Sequence, residues 1–281
     1  MKDLLVSLSS NFTFQDLKPW ILSFSKVNSS AKRMILLYNC DAESVKKIKD
    51  FDFEILSPAP QNADGSYGYT NNQIHMNVER FGHMWAFLRK RKDEFRYILS
   101  TDSRDVVFQK DPFEFIHEIF SKNIDKNYIL SSEGIVYKDE QRWGAPNFYH
   151  SFGPSAFDHI QDKIIYNCGT LAGRSENIID LFCFIFFMSV NNAVPNPDQA
   201  AYNFILSQEP FKSTAFLTDH DTGWAAQLGT MMANNFDNAI KENKPIWKNN
   251  KFITKQNKEF YIIHQYDRIN EIKKYYEEIY K

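Results

Sequence analysis

The sequence predicts an α/β protein with a mainly parallel central sheet flanked by helices, and two observations support this. Short apolar runs alternate with segments of helical periodicity through the N-terminal half, an order typical of parallel sheets that have helices on both faces. The run at 97–99 is apolar without polar alternation, which fits a strand covered on both faces. With 281 residues, 43% of them hydrophobic and 24% charged, the chain is long enough to bury a full core.

The elements of the N-terminal half follow from their residue patterns. Apolar runs rich in Leu, Ile and Val predict strands, and the segments between them predict helices. A turn-rich loop at 57–70 precedes a long helix that we expect to begin near residue 72, with an apolar face on the sheet. The predicted strands are 4–8, 33–38, 53–56 and 97–100, and the first two helices are 14–25 and 42–50. The apolar face of the long helix comprises Ile74, Val78, Phe81, Met84 and Leu88.

The C-terminal half is predicted to be less regular. An apolar strand at 128–130 runs into polar residues, and a loop follows at 143–147. The two glycines of segment 167–173 predict a close approach of the backbone to another group. The segment 178–190 predicts a buried helix, since it is too short to span a bilayer. A proline-led helix begins near 195, and a late strand at 260–263 precedes a charged, aromatic terminal helix.

Composition excludes several classes of protein. Lys and Arg number 33 against 35 Asp and Glu, so the charge balance predicts neither nucleic-acid binding nor attraction to an anionic membrane. The three cysteines are odd in number and lack metal-ligand spacing, which argues against a disulfide framework and a zinc site. No signal peptide or transmembrane segment is visible, and we expect a cytoplasmic protein. The lack of a Gly, Ser or Pro-rich linker predicts a single domain over 1–281.

Two carboxylates stand where the apolar strand at 97–100 ends. Asp102 and Asp105 are expected at the carboxyl edge of the sheet, which is where open α/β sheets bind ligands. A hard divalent cation, Mn²⁺ or Mg²⁺, is the natural partner of two such acids. A polar turn stabilised by local hydrogen bonds explains the same residues equally well. On this evidence alone both interpretations stay open.

Other candidate residues each have a simpler explanation. Arg80 of the long helix points toward the same edge or is a solvated surface arginine. Asn167 follows an apolar run and presents an amide to a ligand, or its glycine-rich surroundings serve packing. Asp198 and Gln199 stand in a first helical turn, where the helix dipole alone favours an acid. His264 ends a strand and is either a metal ligand or a structural imidazole.

The order of these features resembles that of nucleotide-sugar glycosyltransferases with the GT-A fold, a Rossmann-like α/β fold. The resemblance runs from about residue 4 to residue 268 and is greatest to metal-dependent, retaining enzymes of the glycogenin-like and bacterial galactosyltransferase-like families. In those families an Asp-x-Asp motif after a hydrophobic strand and a distal histidine hold Mn²⁺ against the donor's diphosphate. The matching segments are DSRDVVF at 102–108, NCGTLAG at 167–173, Asp198-Gln199 and His264.

The resemblance implies a metal site formed by Asp102, Asp105 and His264. Here two residues separate the acids, whereas the usual motif has one. Asp105 therefore takes the place of the second metal-binding acid, and Asp102 contacts the metal or the donor's ribose. The glycine that often follows the distal histidine is Gln265 in this chain.

The resemblance also implies roles for residues on both sides of the metal. It makes residues 1–113 the nucleotide-binding half and 114–281 the sugar and acceptor half. The donor is expected to be a UDP-sugar, and the acceptor a hydroxyl of a glycan or glycoconjugate. Asn167, Asp198 and Gln199 would bind the donor sugar and act in catalysis. Ser9 and Asn11 would border the nucleotide, and Arg80, Arg104 or Arg268 would donate charge-assisted hydrogen bonds to the diphosphate.

The acceptor pocket is assigned to Glu133 and Trp143, because a carboxylate suits sugar hydroxyls and an indole face suits the apolar side of a sugar. An inverting enzyme needs a carboxylate base near the acceptor hydroxyl, for which Glu133 and Asp221 are candidates. We favour retention, since the sequence does not single out one acid as that base. Two other classes stay open, a noncatalytic nucleotide or sugar-binding module and a Mg²⁺-dependent phosphate-ester hydrolase.

Overall fold

A seven-stranded mixed sheet forms the centre of the fold in the computed structural model, which describes residues 1–71, 73–230 and 244–281. The strand order is β12-β8-β11-β6-β1-β2-β4. All neighbouring pairs are parallel except those made by β11, which runs antiparallel to both of its neighbours. The strands of this sheet are β1 (Lys2–Ser9), β2 (Lys32–Leu37), β4 (Phe53–Leu56), β6 (Phe95–Thr101), β8 (Tyr128–Leu130), β11 (Thr170–Arg174) and β12 (Ala215–Leu217).

Shorter strands form four small sheets around this centre. One of them, of order β13-β16-β7, has three strands, and the pairs β3-β5, β9-β10 and β14-β15 are two-stranded. Their bounds are β3 (Asn39–Cys40), β5 (Tyr67–Gly68), β7 (Val106–Phe108), β9 (Ser132–Val136), β10 (Ile164–Tyr166), β13 (Ala225–Gln227), β14 (Ile246–Lys248), β15 (Lys251–Ile253) and β16 (Ile262–His264).

Helices cover both faces of the central sheet, as the alternation of strands and helices predicts. Residues of α1, α2 and α4 belong to the buried cluster on one face, and those of α3, α7 and α8 to the cluster on the other. The helices are α1 (Phe14–Lys26), α2 (Ala42–Asp50), α3 (Met76–Leu88), α4 (Pro112–Lys122), α5 (Gly144–Phe152), α6 (Pro154–Ile160), α7 (Ser175–Ser189), α8 (Asp198–Leu206), α9 (Phe211–Thr214) and a C-terminal helix (Asn270–Ile279).

The predicted elements of the N-terminal half are confirmed, with one change in helix α3. This helix begins at Met76 rather than near residue 72, and Ile74 lies before it. The ring of His75 accepts a hydrogen bond from the backbone N–H of Asn77 and so caps the helix, which fixes its start. Residue 72 itself lies outside the described ranges. The apolar face from Val78 to Leu88 is buried against the sheet, as predicted.

One prediction for the C-terminal half is wrong, and one strand was not predicted. The expected loop at 143–147 is the start of helix α5, where the Glu140 carboxylate accepts the backbone N–H groups of Trp143 and Gly144. An acid that accepts the free N–H groups of the first turn stabilises a helix. The apolar pattern of α5 is too short to predict the helix by itself. The segment after Asn167 contains strand β11. It was not predicted because its sequence, Thr-Leu-Ala-Gly-Arg, includes a glycine and only one large apolar residue.

The helix predicted at 178–190 is confirmed as α7. Its inner face is buried, although Phe184 and Phe187 are exposed. In the described ranges no helix combines the length and the apolar character needed to cross a bilayer.

The three-stranded sheet brings a distant part of the chain to the end of β6. Strand β7 begins five residues after β6 ends, and β16 pairs with it so that His264 lies opposite Val106. Strand β13 pairs with β16 on the other side, with Gln227 beside His264. Residues 106, 227 and 264 therefore meet at the carboxyl edge of the central sheet.

Glycine 173 allows β11 to fit between β6 and β8. A Cβ atom at this position would lie 2.7 Å from the carbonyl oxygen of Asn127 and 3.3 Å from the Ile178 side chain. We expect Gly173→Ala to lower the free energy of unfolding by about 1–3 kcal/mol through overpacking. Urea denaturation followed by circular dichroism measures this change.

The matched control is Gly68→Ala, because a Cβ there would meet only the end of the Asn62 side chain at 3.5 Å. We expect it to change stability little. Equal stabilities of the two variants would contradict the described packing of β11.

Candidate functional site

A cavity of 450 Å³ opens at the carboxyl edge of β6. It collects residues from α3, the turn after β6, strand β9, the turn after β10, helix α8 and the end of β16. Most of the residues singled out in the sequence line this one cavity: Arg80, Asp102, Glu133, Trp143, Asn167, Asp198, Gln199, His264 and Arg268.

Asp102, Asp105 and His264 form a compact cluster at the edge of the cavity. One ligating atom from each of the three lies within 4.8 Å of the other two. Asp102 follows β6 directly, Asp105 precedes β7, and His264 is the last residue of β16. The pairing of β16 with β7 therefore unites residues that are about 160 positions apart. These three side chains could hold a divalent cation.

The orientation of the imidazole of His264 fits a cation. Its Nδ1 lies 2.6 Å from Oε1 of Gln227, and because an amide oxygen only accepts hydrogen bonds, Nδ1 carries the proton. Its buried Nε2 has no hydrogen-bond partner and lies 3.4 Å from Oδ2 of Asp102 and 3.6 Å from Oδ1 of Asp105. A lone pair facing two carboxylates is unfavourable unless a proton or a metal ion lies between them.

The charges of the cluster perturb each other. Burial opposes ionisation of Asp102, yet the Arg80 guanidinium and His264 together hold its pKa well below the ordinary value. Burial raises the pKa of Asp105, and the Asp102 carboxylate adds to this effect. Burial opposes the charged form of His264, but Asp105 and Asp102 together raise its pKa. Such opposed shifts are typical of functional sites.

Arg80 connects the acidic cluster to helix α8. Its Nη1 lies 2.5 Å from Oδ1 of Asp102, and its Nη2 lies 3.3 Å from Oδ2 of Asp198. The thiol of Cys168 donates to the same Asp198 oxygen at 3.3 Å. The arginine is 8% exposed, so it is a buried bridge between two acids rather than a solvated surface residue.

Glu133 forms the centre of a second network. Its Oε1 accepts hydrogen bonds from Asn167 at 2.7 Å and from Gln199 at 3.0 Å, and its Oε2 accepts one from Thr230 at 2.8 Å. Burial raises the pKa of this carboxyl, while the three donors favour the charged form. Because these donors are neutral, the buried carboxyl group of Glu133 is held by hydrogen bonds alone.

Of the remaining predicted residues, Trp143 lies at the cavity and the others lie outside it. Trp143 is 46% exposed at its rim. Ser9 is fully buried at the end of β1, so its side chain does not line the 450 Å³ cavity. Asn11 lines a separate groove of 500 Å³ beside Phe12, and the Arg104 guanidinium lies 5.5 Å from the Phe12 ring. Asp221 is not among the residues of the 450 Å³ cavity.

Sequence reasoning missed three residues that support the site. Gln227 orients His264, and Thr230 bonds Glu133. Gly169 lets the turn after β10 approach the cluster, since a Cβ there would lie 2.6 Å from Cε1 of His264 and 2.7 Å from Oδ2 of Asp102. The glycine content of this segment predicted a close approach, but nothing in the sequence identified its target.

The fold is similar to that of two glycosyltransferases of known structure. The bifunctional glycosyltransferase WbbM in its apo form aligns with 94% of this chain at a TM-score of 0.57 and 12% sequence identity. This chain spans 45% of the length of WbbM. Apo mouse xyloside xylosyltransferase 1 aligns with 93% of this chain and 97% of its own, at a TM-score of 0.53 and 12% identity.

No protein-family model and no curated protein sequence matches the chain. At 12% identity the structural similarity establishes the fold and not the activity. The chain therefore has a GT-A-like glycosyltransferase fold, a class of α/β architecture with a mostly parallel sheet flanked by helices.

Proposed function

We propose that this protein transfers a sugar from a nucleoside diphosphate sugar, a UDP-sugar, to a hydroxyl group of a glycan or glycoconjugate. The observation that carries the proposal is the cluster of Asp102, Asp105 and His264 at the edge of a cavity lined by hydrogen-bonding side chains. The GT-A-like fold supports the same reaction class.

The donor's diphosphate would lie at the acidic cluster, with Mn²⁺ or Mg²⁺ held by Asp102, Asp105 and His264. Two carboxylates and an imidazole with a free lone pair are suitable ligands for Mn²⁺. When bound, such an ion would neutralise the negative charge that develops on the leaving diphosphate. Asp102 is already oriented for this role by Arg80, and His264 by Gln227.

Helix α8 and the turn after β10 would bind the donor sugar. Asp198 is fixed by Arg80 and Cys168, which leave its second carboxylate oxygen available to a sugar hydroxyl. Asn167 and Gln199 each donate one hydrogen bond to Glu133, and the second N–H of each amide would donate to another hydroxyl. Arg80 would thus act through the two acids that it bridges, because its guanidinium already contacts both.

The nucleotide would extend toward the groove at the ends of β1 and β2. Asn11 lines that groove. Ser9 is wholly buried and its carbonyl oxygen accepts the backbone N–H of Tyr38, so it would support the end of β1 rather than contact the nucleotide. Arg104 lies between the groove and the acidic cluster, where its guanidinium faces Phe12 and pairs with Asp267 at 3.1 Å. This position suits a contact with the diphosphate.

The acceptor would enter past Trp143, whose exposed indole offers an apolar face to a sugar ring. Glu133 is the other predicted acceptor residue, but its two oxygens already accept three hydrogen bonds. We take transfer to be retaining. An inverting base needs an available carboxylate. Among the acids of the described cavity residues, Asp102 would hold the cation and Asp198 would bind the donor sugar. Glu133 already accepts three hydrogen bonds, and Glu140 caps α5.

The proposal is tested by a thermal-shift screen of nucleotide sugars with and without Mn²⁺. A UDP-sugar is expected to raise the melting temperature only when Mn²⁺ is present, since a ligand that binds the native state stabilises it. The stabilising donor is then incubated with candidate glycans, and the product is analysed by mass spectrometry. Binding without glycosyl product would indicate a noncatalytic module, and phosphate release from simple esters would indicate a hydrolase.

We expect Asp105→Asn to abolish Mn²⁺-dependent binding of UDP while the protein remains folded. The substitution removes one ligand and a buried carboxylate whose charge is opposed by burial, so the melting temperature should stay equal or rise. Isothermal titration calorimetry measures the binding. The control is Asp221→Asn, which lies outside the cavity and should bind normally. Unchanged UDP affinity of Asp105→Asn would remove this residue from the metal site.

Metal affinity should fall as the pH is lowered. The pKa of His264 is raised, so its imidazole holds a second proton to a higher pH than an ordinary histidine, and that proton must leave before Nε2 can bind a metal. Asp105, whose pKa is also raised, adds to the effect at lower pH. Calorimetric Mn²⁺ titrations between about pH 8 and about pH 6 should show weakening affinity. A pH-independent affinity would contradict the role of His264.

A further inference from the structure

Glu133 is a buried carboxyl group that joins three separate parts of the chain. It lies in β9 and is 5% exposed. Its hydrogen-bond donors are Asn167 after β10, Gln199 in α8 and Thr230 after β13. A carboxylate in such a position is costly unless its oxygens are satisfied, and here three side chains from three elements satisfy them. The carboxylate therefore fixes how these elements meet at the floor of the cavity.

The carboxylate also decides which way two amides point. Oε1 of Glu133 accepts a hydrogen bond from both side chains, so the NH₂ groups of Asn167 and Gln199 face Glu133. Their carbonyl oxygens are thereby directed to the turn after β10. Oδ1 of Asn167 accepts the backbone N–H of Gly169 at 2.7 Å, and Oε1 of Gln199 accepts that of Cys168 at 3.5 Å.

The same turn is bonded directly to the acidic cluster. The carbonyl oxygen of Gly169 accepts the backbone N–H of Asp102 at 2.8 Å. Three successive hydrogen bonds, each 2.7 or 2.8 Å long, thus lead from the Glu133 carboxylate through Asn167 and Gly169 to the backbone of Asp102. Gly169 also packs against His264, where even a Cβ would come within 2.6 Å.

We infer that Glu133 is a positioning residue, which holds the turn at 167–169 against Asp102 and His264 and so sets the geometry of the cation and diphosphate site. The inference rests on the proposed function and deepens it. It assigns to Glu133 a part in donor binding rather than contact with the acceptor or proton abstraction. Glu133 is 5% exposed and already accepts three hydrogen bonds, which leaves little access for an acceptor hydroxyl.

The substitution Glu133→Gln tests this role because it preserves shape and removes the carboxylate. A glutamine offers one acceptor oxygen and one NH₂ group where Asn167, Gln199 and Thr230 all donate. One of the neighbouring amides must then turn over or lose its partner. We expect Mn²⁺-dependent UDP binding to weaken by about tenfold, which is typical when a residue that orients a metal ligand is changed. Calorimetry with UDP and Mn²⁺ measures this without requiring turnover.

The matched control is Glu79→Gln. Glu79 is also a buried glutamate, 5% exposed, but it does not line this cavity and accepts hydrogen bonds from Tyr69 and Asn71 instead. We expect this variant to bind UDP with Mn²⁺ like the wild type. This comparison separates a specific effect on the site from general destabilisation.

Three results would overturn the inference. If Glu133→Gln bound UDP with Mn²⁺ normally but lost transferase activity, Glu133 would be a base or an acceptor ligand. If both glutamine variants lost binding equally, the effect would be one of stability. If Glu133→Gln did not fold, Asn167→Ala would break the same series of hydrogen bonds, and normal UDP affinity in that variant would refute it. Failure of the wild-type protein to bind UDP would instead refute the proposed function itself.

Discussion

The structure depends on bringing two carboxylates and an imidazole together where burial opposes their charge. Arg80 stabilises Asp102 as an anion. Asp105 is 6% exposed, and burial raises its pKa although His264 and Arg104 oppose that shift. His264 points an unbonded nitrogen at both acids. Such a group of side chains is unfavourable by itself and becomes favourable when a positive charge lies within it.

The surrounding fold supplies rigid support from opposite directions. On one side Arg80 of α3 fixes the side chain of Asp102, and on the other the turn after β10 fixes its backbone. The small sheet of β13, β16 and β7 places His264 beside the strand that follows Asp105. None of these supports is local in sequence. The site is consequently a property of the folded chain, and isolated segments would not reproduce it.

The N-terminal half of the fold could be predicted from the sequence, because its strands and helices carry strong periodic patterns and its connections are short. The acidic positions were also predictable, since they follow a strand that must end at the ligand-binding edge. Strand β11 and helix α5 were not predictable. The first is short and contains Gly173, and the second begins where the Glu140 side chain satisfies the backbone.

The partners within the site were harder to predict than its members. From the sequence alone Glu133 is a candidate ligand-binding acid. In the structure its carboxyl group instead accepts hydrogen bonds from residues 167, 199 and 230. Gln227 could not be identified from the sequence, because glutamines beside short apolar runs are common. Only the register of β13 against β16 places it beside His264. Pairings between distant strands are the information that a single sequence lacks.

Gly169 has a consequence for how such a site can change. Its backbone forms one wall of the space between Asp102, His264 and Asn167, and there is no room for even a methyl group. The spacing of the charged groups is therefore set by the thickness of a bare peptide, the thinnest spacer a polypeptide can offer. A bulkier residue would widen that gap and so change the distances between the Asp102 carboxylate, the His264 imidazole and the Asn167 amide.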